Sequence, residues 1–247
     1  MLFTGFSGKE VPYAGLPWFS TFFGRDAIIT AYSILWARPD IGLNVLRYLE
    51  KRQATGVDPF RAAEPGKILH EERSGELSNL GEVPFGQYYG SIDSTPLYIV
   101  LACEYYRRTG DEEVLLSLFP SIQKALCWID QYGLDPDSRF LVYSSGPRGG
   151  LVNQGWKDSA DSVFHADGKI AVHPIALIEV QGYLYWAWSL LAPLASRLGH
   201  VALGNSLTKR ARDLKSNVLQ KFWVAERNTF AMAIDGVGKP CVISSSN

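Results

Sequence analysis

Apolar positions recur along this chain mostly at helical spacing. From Asp26 to Ala37, Ile28, Ile29, Tyr32, Leu35 and Trp36 form one such run, and Pro39 stops it. Asp40 is placed to cap a second helix with Ile41, Val45, Leu46 and Leu49 on one face and Gly56 beyond its end. Ser94-Thr95-Pro96, a cap with proline in the first turn, opens a third helix that runs to Arg108 and ends at Gly110. Asp111 caps a fourth that reaches Tyr132, with Pro120 as a kink or break and Gly133 as the stop. Pro174 opens a long apolar helix, and a last one covers roughly Leu203 to Val224.

The connections are polar. Residues 1–24, rich in glycine, proline and aromatics, suit a lead-in loop or short strands. Residues 57–93 read as one long loop, unusual in a compact domain unless it has a task. Arg139 to Asn153 reads as a small β-hairpin leading into the polar stretch Asn153 to Asp161. The layout is helix, helix, polar connection, with three helical hairpins in all. Thr95 to Arg108 and Pro174 to Leu191 are apolar nearly all round, as inner helices would be, and the others are amphipathic. An all-α toroid of two concentric helical rings follows, with a site where the polar loops meet. Three pairs cannot close such a ring. Residues 1–247 are therefore expected to be part of a larger toroid, a fragment whose remaining half comes from a longer chain or a partner.

Composition narrows the class. Of 247 residues 47% are hydrophobic and 13% aromatic, enough for a sizeable core and against disorder. The net charge of -1, with signs interspersed, gives no reason to expect nucleic acid or an anionic membrane as partner. Seven tryptophans and twelve tyrosines serve either core packing or flat platforms for sugar rings. Cys103 and Cys127 lie in helical patterns among apolar neighbours, so buried free thiols in a reducing, cytoplasmic setting are expected. The first residues lack the pattern of a signal peptide. Ile170 to Leu198 is too interrupted by His173, Pro174, Glu179, Gln181 and Pro193 to read as a membrane span.

Candidate chemistry sits in the connections. Asn153-Gln154-Gly155-Trp156-Lys157-Asp158-Ser159-Ala160-Asp161 gathers carboxylates, a lysine, amides and a tryptophan beside the most apolar helix. Asp158 is the candidate acid, with Asp161 as its rival. Two carboxylates on so short a segment cannot flank a scissile bond from both sides, so the second catalytic group should come from elsewhere. Arg25-Asp26 can hold vicinal hydroxyls, the guanidinium donating and the carboxylate accepting, or can be a surface Arg and a capping Asp. Glu71 and Arg73, in a segment whose single histidine argues against metal, are either pocket groups or a solvated loop. Asp93 is a pocket carboxylate or a helix-start residue. Glu179 and Gln181, inside an apolar helix, are a satisfied core pair or ligand contacts.

Taken together, GLPWFSTFFGRD (Gly15 to Asp26), PGKILHEER (Pro65 to Arg73), YGSIDSTPL (Tyr89 to Leu97), NQGWKDSAD (Asn153 to Asp161) and IALIEVQGY (Ile175 to Tyr183) resemble the amylo-alpha-1,6-glucosidase, or glycogen-debranching-like, proteins. These belong to the (α/α)6-barrel, six-hairpin glycoside hydrolases. The resemblance spans nearly the whole chain in the family's order. It implies a twelve-helix toroid, inverting hydrolysis of α-glucosidic bonds in glucans or oligosaccharides, a role in carbohydrate metabolism, and no cofactor or metal. It assigns Asp158 as general acid and places Trp18, Arg25 and Asp26 around the terminal sugar. Glu71, Arg73, Asp93, Trp156, Lys157, Glu179 and Gln181 fall in matching motifs. The base that activates water lies, in that family, in helices beyond these residues. A non-catalytic carbohydrate-binding helical module and a helical scaffold are the competing expectations.

Overall fold

The structure, a computed structural model, describes residues 3–6, 9–146 and 149–243, with side chains from Glu10 onward. It is all-α in class: seven helices among the described residues, packed in hairpins and accompanied by small sheets, the make-up of part of an (α/α) toroid. The chain forms two compact units, Met1–Tyr132 with Pro147–Gly150, and Gly133–Gly146 with Leu151–Asn247.

The first unit begins with an antiparallel pair, β1 (Phe3–Phe6) and β2 (Lys9–Pro12). Then come β3 (Phe22–Phe23), α1 (Gly24–Ser33), α2 (Pro39–Lys51), β4 (Glu71–Glu72), α3 (Glu76–Asn79), α4 (Ser94–Thr109) and α5 (Glu112–Trp128). Helix α1 packs on α2 and α4, and α4 on α5. The first helix stops short of Ala37, leaving Trp36 in a turn and 73% exposed. Asp40 does not cap α2: Pro39 takes the first turn, and Asp40 instead pairs with Arg38 at 2.6 Å on the surface. Every residue from Ser94 to Cys103 in α4 is buried, as an inner helix requires, and Gly110 ends it in the left-handed conformation. Asp111 does cap α5, accepting from the Val114 N–H at 3.0 Å, and Pro120 is accommodated inside that helix.

The stretch 57–93 is not structureless. It contains β4, α3 and a 3-10 turn at Pro84–Gly86. Its buried backbone groups need partners, and side chains supply them. Gln53 Nε2 donates to the carbonyls of Gly66 and Ser121, both at 2.9 Å, and Thr95 Oγ1 accepts from the Ile68 N–H at 3.0 Å. The Trp128 indole donates to Glu64 at 2.7 Å.

The second unit contains β5 (Ala176–Leu177), α6 (Ile178–Arg197), α7 (Val201–Lys221), β6 (Trp223–Val224), β7 (Thr229–Phe230), β8 (Ala233–Ile234) and β9 (Pro240–Cys241). Helices α6 and α7 form its hairpin. Pro174 does not open α6, because Ala176 and Leu177 are drawn into pairing with β8 and the helix starts only at Ile178. Unlike α4, α6 buries one face, through Val180, Leu184, Ala187, Trp188, Leu191 and Ala195, and leaves Tyr185 exposed. Among the described residues of 139–153, the Gly146 N–H donates to the Leu151 carbonyl at 3.2 Å. Their other bridges run outward, Leu141 to Leu134 and Tyr143 to Ile175. Cys103 and Cys241 are buried, but Cys127 is exposed, since its position on α5 faces away from buried Leu126 and Trp128. Among the described residues no helix is long and apolar enough to cross a membrane.

Candidate functional site

In the first unit, a three-chain crossing places the polar residues. Phe23 pairs with Glu71, and Glu71 in turn bridges Tyr88. The Gly24 N–H donates to the His70 carbonyl at 2.6 Å. A Cβ at Gly24 would lie 2.0 Å from the Leu69 carbonyl oxygen, so the approach needs glycine. The first turn of α1 is thereby held against His70 and Glu71.

Arg25, 5% exposed, donates through Nη1 to Asp93 at 3.1 Å, with Asp26 3.7 Å from its Nε. Asp93 is fully buried at the start of α4 and also accepts from Ser91 Oγ at 2.5 Å. Ser91 in turn accepts from the Ser94 N–H at 3.1 Å, so the serine caps the helix while the aspartate is left to face arginine. A charge this deep is tolerable only because it is paired and hydrogen-bonded.

Strand alternation sends Glu71 and Glu72 to opposite sides. Glu71, 1% exposed, accepts from Arg73 Nε at 2.6 Å. Glu72 takes Arg52 Nε at 2.5 Å, Gln87 Nε2 at 3.1 Å and the Tyr48 hydroxyl. His70 is buried, with its ring edge-on to Phe23 and Tyr88. Burial, and then the charges of Arg25, Arg73 and Lys67, hold its imidazole well below the ordinary histidine range. Its Nδ1 has no hydrogen-bond partner among the described residues. Trp18 stands on the preceding excursion and is 87% exposed.

In the second unit the polar stretch is a compact non-helical loop tied together from inside. Asn153, 2% exposed, donates to the Ser159 carbonyl at 2.7 Å and accepts from the Tyr143 hydroxyl at 2.8 Å. Ser162 Oγ donates to the Lys157 carbonyl at 2.7 Å. A Cβ at Gly155 would meet Leu177 Cδ1 at 2.2 Å, which seats the loop against β5. The loop then presents Trp156, 49% exposed, and the half-buried Lys157 and Asp158. Lys157 Nζ lies 3.9 Å from a carboxylate oxygen of Glu179, which is 7% exposed. Burial, then the negative charge of Glu179, pushes the Tyr143 hydroxyl up from its usual range. Asp158 makes no hydrogen bond or ion pair with a described residue, whereas Asp161 is exposed outside the loop's tie points.

The sequence-derived residues thus fall into two sets. Arg25, Asp26, Glu71, Arg73 and Asp93 are gathered in the first unit; Lys157, Asp158 and Glu179 are gathered in the second, with Trp156 beside them. Gln181 is a core pin. It is fully buried, its oxygen accepts from the Leu141 N–H at 2.9 Å, and its nitrogen donates to the carbonyls of Leu141 and Leu177 at 2.8 and 3.0 Å. His70 and Tyr143 were not singled out from the sequence. His70 sits within a quoted motif, but Tyr143 is linked to Glu179 only by the fold. Among the described residues no group of three or more His, Cys, Asp or Glu side chains is placed to hold a metal ion.

No protein-family model and no curated protein matches the chain. Solved structures do. A GH78 family rhamnosidase of Bacillus sp. GL1 aligns with 92% of this chain at 15% identity and a TM-score of 0.57, covering 20% of its own length. A rhamnosidase from Klebsiella oxytoca with rhamnose bound aligns with 86% at 14% identity and 0.53, covering 35% of its own. A metal-independent alpha mannosidase from Streptococcus pneumoniae, in a non-productive complex with alpha-1,6-mannobiose, aligns with 98% at 14% identity and 0.55, covering 61% of its own. The chain therefore has a glycoside hydrolase-like fold and spans only part of each of these proteins.

Proposed function

We propose that this chain is the acid-bearing part of an inverting glycoside hydrolase acting on α-glucosidic bonds in glucans or oligosaccharides, of the amylo-alpha-1,6-glucosidase type. The observation that carries the reading is Asp158: a half-buried carboxylate with no partner among the described residues, on a loop pinned by Asn153 and Ser162, beside the Lys157–Glu179 pair and an exposed tryptophan. A general acid needs a fixed position and an oxygen that can reach the leaving group; the tied loop meets the first need and a carboxyl without a partner among the described residues the second. Asp158 protonates the leaving oxygen. The base that activates water is assigned, by the resemblance, to a segment beyond these residues. Arg25, Asp26, Asp93, Glu71 and Arg73 make up a saccharide-binding set, in which paired charges hold their donors and acceptors rigid toward hydroxyls. In the full-length protein, Asp158→Asn abolishes glucose release while oligosaccharide binding persists, and the released sugar in the wild type carries the inverted anomeric configuration by proton NMR. Unchanged turnover in Asp158→Asn ends the assignment.

A second reading, a non-catalytic carbohydrate-binding module, is favoured by one feature. Glu71, Asp93 and Glu179 are all buried against cations, which suits recognition better than proton transfer. Saturable sugar binding by the full-length protein, without product over long incubation, selects it.

A further inference from the structure

The second unit holds a cavity of about 320 Å³ that no residue of either set above lines. Its walls include Leu134, Trp188 and Leu214, all buried. Trp188 lies about two and a half turns along α6 from Glu179, which puts it about 13 Å further along the axis and on the opposite face of the helix. The cavity is therefore separate from the Lys157–Glu179 pair.

The polar lining is cationic. Arg139, Lys209 and Arg210 share it with one carboxylate, Asp213, and Lys209 takes that carboxylate at 2.8 Å. The Arg210 guanidinium carbon lies 4.3 Å from the Trp188 ring centre. A long cation laid over apolar surface accounts for Arg210, but two other features need a different reason. Arg139 has a φ of 59°, in the left-handed region that glycine and asparagine enter most readily, so the turn alone does not call for arginine. Its guanidinium makes no hydrogen bond or ion pair with a described residue. Trp188 is 3% exposed, and its indole N–H has no acceptor among the described residues. A buried donor without a partner is costly, and an acceptor oxygen brought into the cavity removes that cost.

We propose that this cavity binds a small molecule that has a flat apolar body and an oxyanion, phosphate or carboxylate. The body packs on Leu134, Trp188 and Leu214. Arg139 and Arg210 hold the oxyanion, since a planar guanidinium can take two of its oxygens at once. The Trp188 N–H donates to one of them. The site is independent of the hydrolase reading, because none of its residues belongs to the machinery named there.

The test is a calorimetric titration of the full-length protein with phenyl phosphate, benzoate and phenol, which share a ring and differ in charge. At least one of the two anions binds about tenfold or more tighter than phenol, and the tighter of them identifies the oxyanion. Higher salt weakens the anion and spares phenol. Arg139→Asn suits the left-handed turn, so the melting temperature does not fall, yet anion affinity drops about tenfold while that of phenol is unchanged. Trp188→Phe keeps a ring in the wall and removes the N–H, and anion affinity drops about threefold. No saturable binding of either anion, binding no tighter than that of phenol, or full anion affinity in Arg139→Asn overturns the site. Full affinity in Trp188→Phe overturns the part given to the indole.

Discussion

Asp93→Asn removes one charge from the most deeply buried ion pair of the first unit and changes almost nothing in shape. Asp93 is fully buried, Arg25 is 5% exposed, and they meet at 3.1 Å. Breaking a buried pair by removing one partner costs about 3–5 kcal/mol, because the other charge stays behind without compensation. Two features reduce that here. Asp26, with 31% of its side chain exposed, remains 3.7 Å from Arg25, and the amide of asparagine can still accept from Ser91. A loss of about 2–3 kcal/mol follows, or about 5–10 °C in melting temperature for a chain of this size. Urea unfolding followed by tryptophan fluorescence measures it. The companion variant, Arg25→Met with Asp93→Leu, should be more stable than either single change, since no orphan charge is left. A loss below about 0.5 kcal/mol for Asp93→Asn, or simple additivity of the two changes, refutes the view that mutual charge compensation holds this corner.

Three further outcomes are expected. The unfolded chain's imidazole titrates near 6.5 and His70 in the fold well below it, so the unfolded state binds more protons between those values. Stability present above about pH 6.5 therefore falls as pH drops, by about 1.4 kcal/mol per unit, and His70→Leu flattens the curve; parallel curves would contradict this. Gln181→Leu strands the Leu141 N–H and carbonyl in the core and lowers stability by about 2–3 kcal/mol, whereas a change confined to sugar affinity would restore a ligand role. Of the three thiols only Cys127 should react quickly with a disulfide reagent in the native state, because Cys103 and Cys241 are buried and burial pushes the Cys241 thiol up to about 11. Two fast thiols would disprove that.

Helical hairpins were legible in the sequence because their periodicity is local. The capped start of α5, the glycine stop of α4 and the unbroken apolar surface of α4 all reside in contiguous residues. What escaped is non-local. The start of α6 is set by β8, more than fifty residues away in the chain, and no window around Pro174 contains that information. The same holds for the stretch 57–93, whose order depends on Thr95 and Trp128 reaching in from α4 and α5 and on Gln53 just past the end of α2. Among the candidate residues, polarity alone could not tell one role from another. Gln181 and Asp93 are both polar groups in apolar helical surroundings. One satisfies backbone and the other faces a guanidinium, a difference that only the packed partners create.

The measurement closest to the central claim compares two substrates in Asp158→Asn of the full-length protein: an α-glucoside whose leaving alcohol needs protonation, and an aryl α-glucoside whose acidic phenol departs unaided. Loss of a general acid lowers turnover of the first by about 10²–10⁴-fold and spares the second. Equal loss on both, or no loss on either, contradicts Asp158 as the proton donor.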